Sequence, residues 1–370
     1  MDNKHRYWIA FNLIFAEKLK EAGKLIKACP KIEDVFTLSV RDLTSLGIDK
    51  ERAERISSSQ TLERADQEFD WLTKNHFFVL TLEDEKYPDL LREIFDPPYV
   101  LYCAGSLDVL EKPMVSIVGS RKPSLYGRAV AERLSEDLAS HGIMVVSGMA
   151  RGVDSAAHWG ALKGGQTTAV LGSGLDRVYP KENKDLMRKI MENGLVLTEY
   201  FHKSPPLGQH FPLRNRIISG LSLALVVVEA AQKSGSLISA RLALEENREV
   251  MAVPGNITSS LSQGTNWLIK NGAKLVEDWL DVVEELPSPY KDDLLAEAEK
   301  AKKEKKNNKV VLSPQEKEIL DQLNTNSLTH IDKLAEKSAY SVSEILSNLL
   351  SLELKGLIIQ RPGKFFQRKL

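Results

Sequence analysis

From Met114 onward, short blocks of apolar and β-branched residues alternate with stretches in which apolar positions recur every three or four residues. "MVSIVGS" precedes "YGRAVAERLSEDLASHG", "IMVVSG" precedes "DSAAHWGALKGG", and "LALVVVEA" precedes "SLISARLALEENR". "TTAVLGSG", "GLVLTEY" and "EVMAVPGN" supply further apolar blocks. Solid apolar blocks without alternation fit strands buried on both faces, and the 3.6-residue period between them fits covering helices. The pattern predicts an α/β fold, a parallel sheet with helices on both faces, ending near residue 285.

The flanks read differently. Residues 1–75 are helical in pattern, and "SVRDLTSLGIDKERAERI" predicts two helices turning at Gly47. It is similar to the small helix-hairpin-helix (or SAM-like) domains of DNA-handling proteins without the usual second glycine, so a helical docking domain fits equally. "FFVLTL" and "DPPYVLYCAG" add strands and turns, which makes 76–285 one domain. Residues 286–309 are rich in charge and poor in large apolar residues, as a linker is. In 310–370, Ser313 with Glu316 and Ser341 with Glu344 fit capping boxes, and Thr329 marks a third helix start. "LIIQRPGKFFQRK" predicts a hairpin turning at Pro362-Gly363, and three helices plus a hairpin make a winged helix.

Charge narrows the function. The 50 basic and 51 acidic residues leave a net charge of −1, which excludes polyanion binding by bulk charge and confines any nucleic-acid site to a local patch. Cys29 and Cys103 are too few for a disulfide framework or zinc cluster and fit a reducing cytosol. The N-terminal apolar stretch is broken by Asn12 and Glu17, so it reads as a soluble helix rather than a signal peptide. With no apolar run of ~18 residues, a cytoplasmic chain without membrane contact is expected. No His, Cys or Asp cluster has ligand spacing, so neither metal nor cofactor is expected.

Open parallel sheets bind ligands beyond the carboxyl ends of their strands. There the sequence places Gly119-Ser120-Arg121, then Gly148 with Arg151-Gly152, then Gly172-Ser173-Gly174 with Lys181 and Asn183. Phe211, Arg214, Asn215 and Arg216 come next, and Ser234-Gly235-Ser236 closes the series. Glycine lets a backbone approach phosphate, helix N-termini offer unpaired N–H groups, and arginine offers a fork. Repeated on one rim, they point to a phosphate-rich ligand. Arg214 and Arg216 either face that anion or pair internally with Glu199 or Glu229. Tyr126, Tyr179, Tyr200 and Phe211 are either platforms for exposed bases or core. "GSGLDR" has Arg177 where a dinucleotide fingerprint has its third glycine, and no P-loop occurs. Asp154 and His158 share a helix face from which Ser155 points away, so no hydrolytic triad is expected.

The stretches "VSIVGSRKPSLYG", "VVSGMARGVDSAAHWGAL", "AVLGSGLDRVYPKEN", "FPLRNRIISGLSLALVVVEAAQKSGSLISARLALEENREVMAVPGNI" and "SQGTNWLIKNGA" resemble the DNA-processing protein A (DprA/Smf) family. The resemblance implies an extended Rossmann-like core that binds single-stranded DNA without catalysis, protects incoming DNA, forms a homodimer and helps load RecA recombinase during natural transformation. It implies phosphate contacts from Arg121 and Lys181, and a groove shaped by Gly119, Ser120, Gly148, Gly172 and Gly174. Asn183, Phe211, Arg214, Asn215 and Arg216 would lie along that groove, joined from the rim reading by Arg151. Roughly five cations on phosphates would give a log K against log salt slope of about −3.5 per protomer. "TNWLIKNGA" is the candidate dimer contact. The expected recognition helix, "YSVSEILSNLLSLELKG", carries Glu344 and Glu353, with Lys355 only at its end. The other class that fits the loop logic is a nucleotide-processing enzyme of the Rossmann-like phosphoribohydrolase type. Its P-G-G-x-G-T loop is absent, and Glu199 or Glu229 would have to be its acid.

Overall fold

The computed structural model describes residues 3–16, 18–288, 290–296, 298, 312–325 and 327–369. They fall into two compact units, Met1–Leu295 and Ala296–Leu370.

The first unit opens with α1 (Asn3–Phe15), α2 (Leu19–Ala28), α3 (Ile32–Val35), α4 (Val40–Ser45), α5 (Lys50–Ile56) and α6 (Ser59–Lys74). Ser39 and Asp49 cap the two helices that flank Gly47. Strands β1 (Phe78–Thr81) and β2 (Val100–Gly105) are joined across α7 (Asp89–Arg92). Then come β3 (Met114–Val118), α8 (Leu125–Ser140), β4 (Met144–Ser147), α9 (Val153–Gly164) and β5 (Thr167–Val170). After them lie α10 (Lys184–Asn193), β6 (Leu195–Thr198), α11 (His210–Gly220), β7 (Ala224–Val227) and α12 (Gly235–Glu245). The unit's last elements are β8 (Glu249–Ala252), α13 (Gln263–Lys270), β9 (Lys274–Leu275) and α14 (Trp279–Val283).

One sheet takes the order β1-β2-β6-β5-β4-β3-β7-β8-β9. From β6 to β9 all neighbours are parallel, as the solid apolar blocks predict. The stretch before Met114 extends the sheet with an antiparallel edge: β2 runs against β6, and β1 against β2. Helices α8, α9 and α14 cover one face through Leu134, Ala157 and Val282. Helices α11 and α12 cover the other through Ile217 and Ala240. The N-terminal helices pack with α10 over Val100, Tyr102 and Val196 in a continuous core.

The second unit contains α15 (Pro314–Asp321), β10 (Thr329–His330), α16 (Ile331–Lys337), α17 (Val342–Leu354), β11 (Ile358–Arg361) and β12 (Phe365–Arg368). Both expected capping boxes are present. Thr329 is not a helix cap: it pairs with Phe366 in the small sheet, and the His330 side chain accepts the Asp332 N–H instead. The hairpin turns through Pro362, Gly363 and Lys364. Of the expected linker, residues 289, 297 and 299–309 lie outside the described residues. Among the described residues, no helix is long and apolar enough to cross a membrane.

Candidate nucleic-acid interface

Strand β3 is where the sheet reverses its order: β4, β5 and β6 are laid down on one side of it, β7, β8 and β9 on the other. The helices after β3 and β7 cover opposite faces, so their loops part at the strand ends and leave a crevice. An open pocket of 690 Å³ occupies it, lined by Gly119, Ser120, Arg121, Tyr179, Phe211, Arg214, Asn215 and the Ser234–Ser236 turn.

The loop that carries Arg121 is held from below. The Ser124 amide and hydroxyl donate to Glu229 at 2.8 and 2.6 Å, and Ser124 caps α8 by accepting the Gly127 N–H. Glu229 is thus a loop anchor and not an arginine partner. The Ser120 carbonyl accepts the Val153 N–H, and Gly152 stands so close that a Cβ there would lie 2.3 Å from it. Gly152 also has φ +83, which an L side chain rarely adopts. On this frame Arg121 is exposed, its guanidinium 5.6 Å from the centre of the Phe211 ring. Tyr179 lies beside Phe211 with ring centroids 5.4 Å apart.

The arginines of "RNR" behave otherwise. They lie on α11, and both are buried, at 3% and 7% exposure. Arg214 donates to the carbonyls of Gly148 and Val170 at the ends of β4 and β5. Burial pulls its pKa down to about 10, against the pull of Asp154. Its edge reaches the pocket, but the hydrogen bonds go inward. Arg216 does not reach the rim: its guanidinium pairs with buried Glu199. A guanidinium buried beside a carboxylate satisfies both charges and leaves none for a ligand. Asn215 lines the pocket, half-buried.

Lys181 is exposed, whereas Asn183 is buried and donates to the Met149 carbonyl and Ser155 hydroxyl. Met149 has φ +57, so Asn183 holds a turn that costs about 1–3 kcal/mol. Arg151 is exposed but paired with Glu182. Gly119 faces Val153, Gly148 lies against Arg214, and Gly172 supports the Phe211 ring. Gly174 packs on the carbonyls of residues 201 and 202, away from the pocket lining. Of the candidate platforms, Tyr126 is exposed with its hydroxyl on Pro254, while Tyr200 is buried against His210.

A smaller pocket of 530 Å³ adjoins at Arg121 and brings in Arg128 and Trp159. Strand-end reasoning missed both because they lie inside helices. Only the parallel close approach of α8 and α9, where Gly160 meets Glu132 and Gly164 meets Glu136, brings them together. Asp154 lines the larger pocket, and burial pushes its carboxyl up. His158 is core, its Nδ1 2.7 Å from Thr167 Oγ1, and burial lowers its pKa to about 3. The Ser155 hydroxyl donates to the Ala150 carbonyl, so no triad forms.

The family profile described as DNA recombination-mediator protein A matches residues 78–287, over half of the chain. The chain belongs to that family. The profile of the DprA winged helix domain matches residues 303–364. Protein Smf of Escherichia coli (strain K12) is 38% identical over 303 residues, covering 80% of this chain and 78% of its own. The X-ray structure of DNA processing protein A (DprA) from Streptococcus pneumoniae superposes with a TM-score of 0.65 at 38% identity, over 76% of this chain and 98% of that one. A DprA structure from Helicobacter pylori, described for its single-stranded DNA binding mode, gives a TM-score of 0.51 at 35% identity, over 56% and 95%.

Proposed function

We propose that this chain binds single-stranded DNA in the crevice at the carboxyl ends of β3 and β7, protects the strand, and helps load RecA recombinase onto it during natural transformation. It acts as a homodimer and without catalysis. The observation that carries the reading is Arg121 over Phe211 with Tyr179 alongside, at the mouth of an open pocket. A fork for phosphate next to flat rings for bases is what a single strand needs, whereas a paired duplex hides its base faces. The mediator description of the family supports the recombinase step. Trp267, 57% exposed on α13, supports a dimer contact near the open β9 edge. The engagement of Glu199 with Arg216 and of Glu229 with Ser124 supports binding over the enzyme alternative, whose acids they would have to be.

With Arg214 and Arg216 turned inward and Arg151 paired with Glu182, the exposed cations assigned to phosphates are Arg121, Lys181 and Arg128 of the adjoining pocket. The expected slope of log K against log salt is then about −2 rather than −3.5. Fluorescence anisotropy with labelled single-stranded and duplex DNA across a salt series reads it. Single-strand preference with that slope supports the reading, and a flat salt response or equal affinities would remove it. Sedimentation of the same samples reads the dimer, and the rate of RecA filament assembly reads the loading step. No change in that rate would limit the function to binding and protection.

A further inference from the structure

We propose that the N-terminal helical region positions one wall of the crevice, and that Glu68 on α6 is the positioning residue. The inference rests on the DNA-binding reading above. Glu68 is 3% exposed, and its carboxylate reaches out of its own region to the chain that follows β6. Its carboxylate accepts the backbone N–H of His202 at 2.8 Å and pairs with Nδ1 of the same residue. Trp71, one turn further along α6, stacks on the His202 imidazole with centroids 4.2 Å apart and planes 12° from parallel. From α1, buried Asn12 donates to the Glu199 carbonyl at 2.8 Å. Two helices thus grip the chain where it leaves β6.

Both aromatic walls of the crevice start from that point. The Ser204 amide donates to the Phe201 carbonyl, and the Ser204 carbonyl accepts the Gly174 N–H, each at 2.9 Å. A Cβ on Gly174 would lie 2.1 Å from the His202 carbonyl oxygen, so only glycine lets the two loops meet. The Gly174 loop runs on to Tyr179 and Lys181. The His202 segment runs on through Pro206 and Gly208, which line the pocket, to Phe211. Tyr200 stacks on His210, whose Nδ1 lies 3.1 Å from the Gly172 carbonyl oxygen. A buried carboxylate is costly unless fully hydrogen-bonded. Here its bonds serve a loop 134 residues away and not the helix that carries it.

The test compares full-length wild type, Glu68→Ala, Glu68→Gln and Glu68→Leu by backbone hydrogen exchange and by anisotropy with labelled oligothymidylate. Glu68→Ala is expected to speed exchange over residues 201–209, leave β3–β5 protected, and weaken binding about tenfold. Glu68→Gln keeps an oxygen for the His202 N–H and is expected to recover most of both losses, whereas Glu68→Leu, which fills the space without an acceptor, is expected to recover neither. If Glu68→Ala does not fold, Trp71→Leu is measured in its place with the same expectations. A wild type that binds, beside variants with unchanged affinity and unchanged exchange, overturns the positioning role. A wild type that fails to bind sinks the DNA reading, and exchange over 201–209 then decides by itself whether Glu68 holds the wall.

Discussion

Two surfaces of this chain occupy places where proteins commonly read nucleic acid: the strand-end rim of the sheet and the third helix of the winged-helix fold, α17. They are built from opposite materials. The rim presents Arg121, Lys181 and Tyr179 on loops anchored by buried groups. Helix α17 exposes Val342, Leu346, Leu350 and Leu354, one apolar residue every fourth position, and carries Glu344 and Glu353. Lys355 at its end is drawn to Glu316, which also accepts from Ser351. Recognition helices meet a polyanion with cations and polar groups; an apolar stripe with acidic neighbours is better suited to another protein. A fold thus places an element, but its exposed side chains decide what it can touch.

The largest effect expected from that contrast is at Arg121. Replacing it by Glu reverses a charge beside the proposed phosphate path, and single-strand affinity should fall about 10- to 100-fold, as lost charged hydrogen bonds do. Lys181→Glu should cost about tenfold, and each change should lower the salt slope by about 0.7. Anisotropy with a melting control measures both, and unchanged affinity in the pair would end the case for the crevice. For the other surface, Leu350→Glu and Leu354→Glu should leave single-strand affinity within about twofold, as exposed substitutions outside a binding surface do. A loss as large as that of Arg121→Glu would erase the distinction between the two surfaces.

The smallest expected effect separates the units by acid response. Burial pushes the Glu246 carboxyl, just after α12, up to about 7. The unfolded chain titrates it near 4.5, so stability of the first unit falls as pH rises between those values. Hydrogen bonds from Lys355, Ser351 and Ser313 hold Glu316 down to about 2. Its contribution to the winged helix is full above about 4.5 and is lost as pH falls toward 2. Calorimetry from pH 8 to 3 should show the first unit firming between 7 and 4.5 and the second loosening below 4.5. Glu246→Gln should remove the first trend and Glu316→Gln the second; parallel behaviour of the units would contradict both assignments.

Much of this was legible along the chain. The apolar blocks are the strands, the serine–glutamate pairs at Ser313 and Ser341 are the caps, and Pro362-Gly363 is the turn, since each depends on near neighbours or on a repeating period. Parallel strands send all their carboxyl ends the same way, so Gly119–Arg121, Tyr179, Phe211 and Ser234–Ser236 line one crevice, while Gly174 lies away from it. Tertiary packing decided which of the rim cations stay free. Arg216 meets Glu199 17 residues back, Arg214 meets carbonyls 44 and 66 residues back, and His202 meets Glu68 134 residues back. Residue type and spacing determine which groups approach the strand ends. Whether a charge there faces solvent or a buried partner depends on which distant segments pack against it, and that is set only when the chain closes.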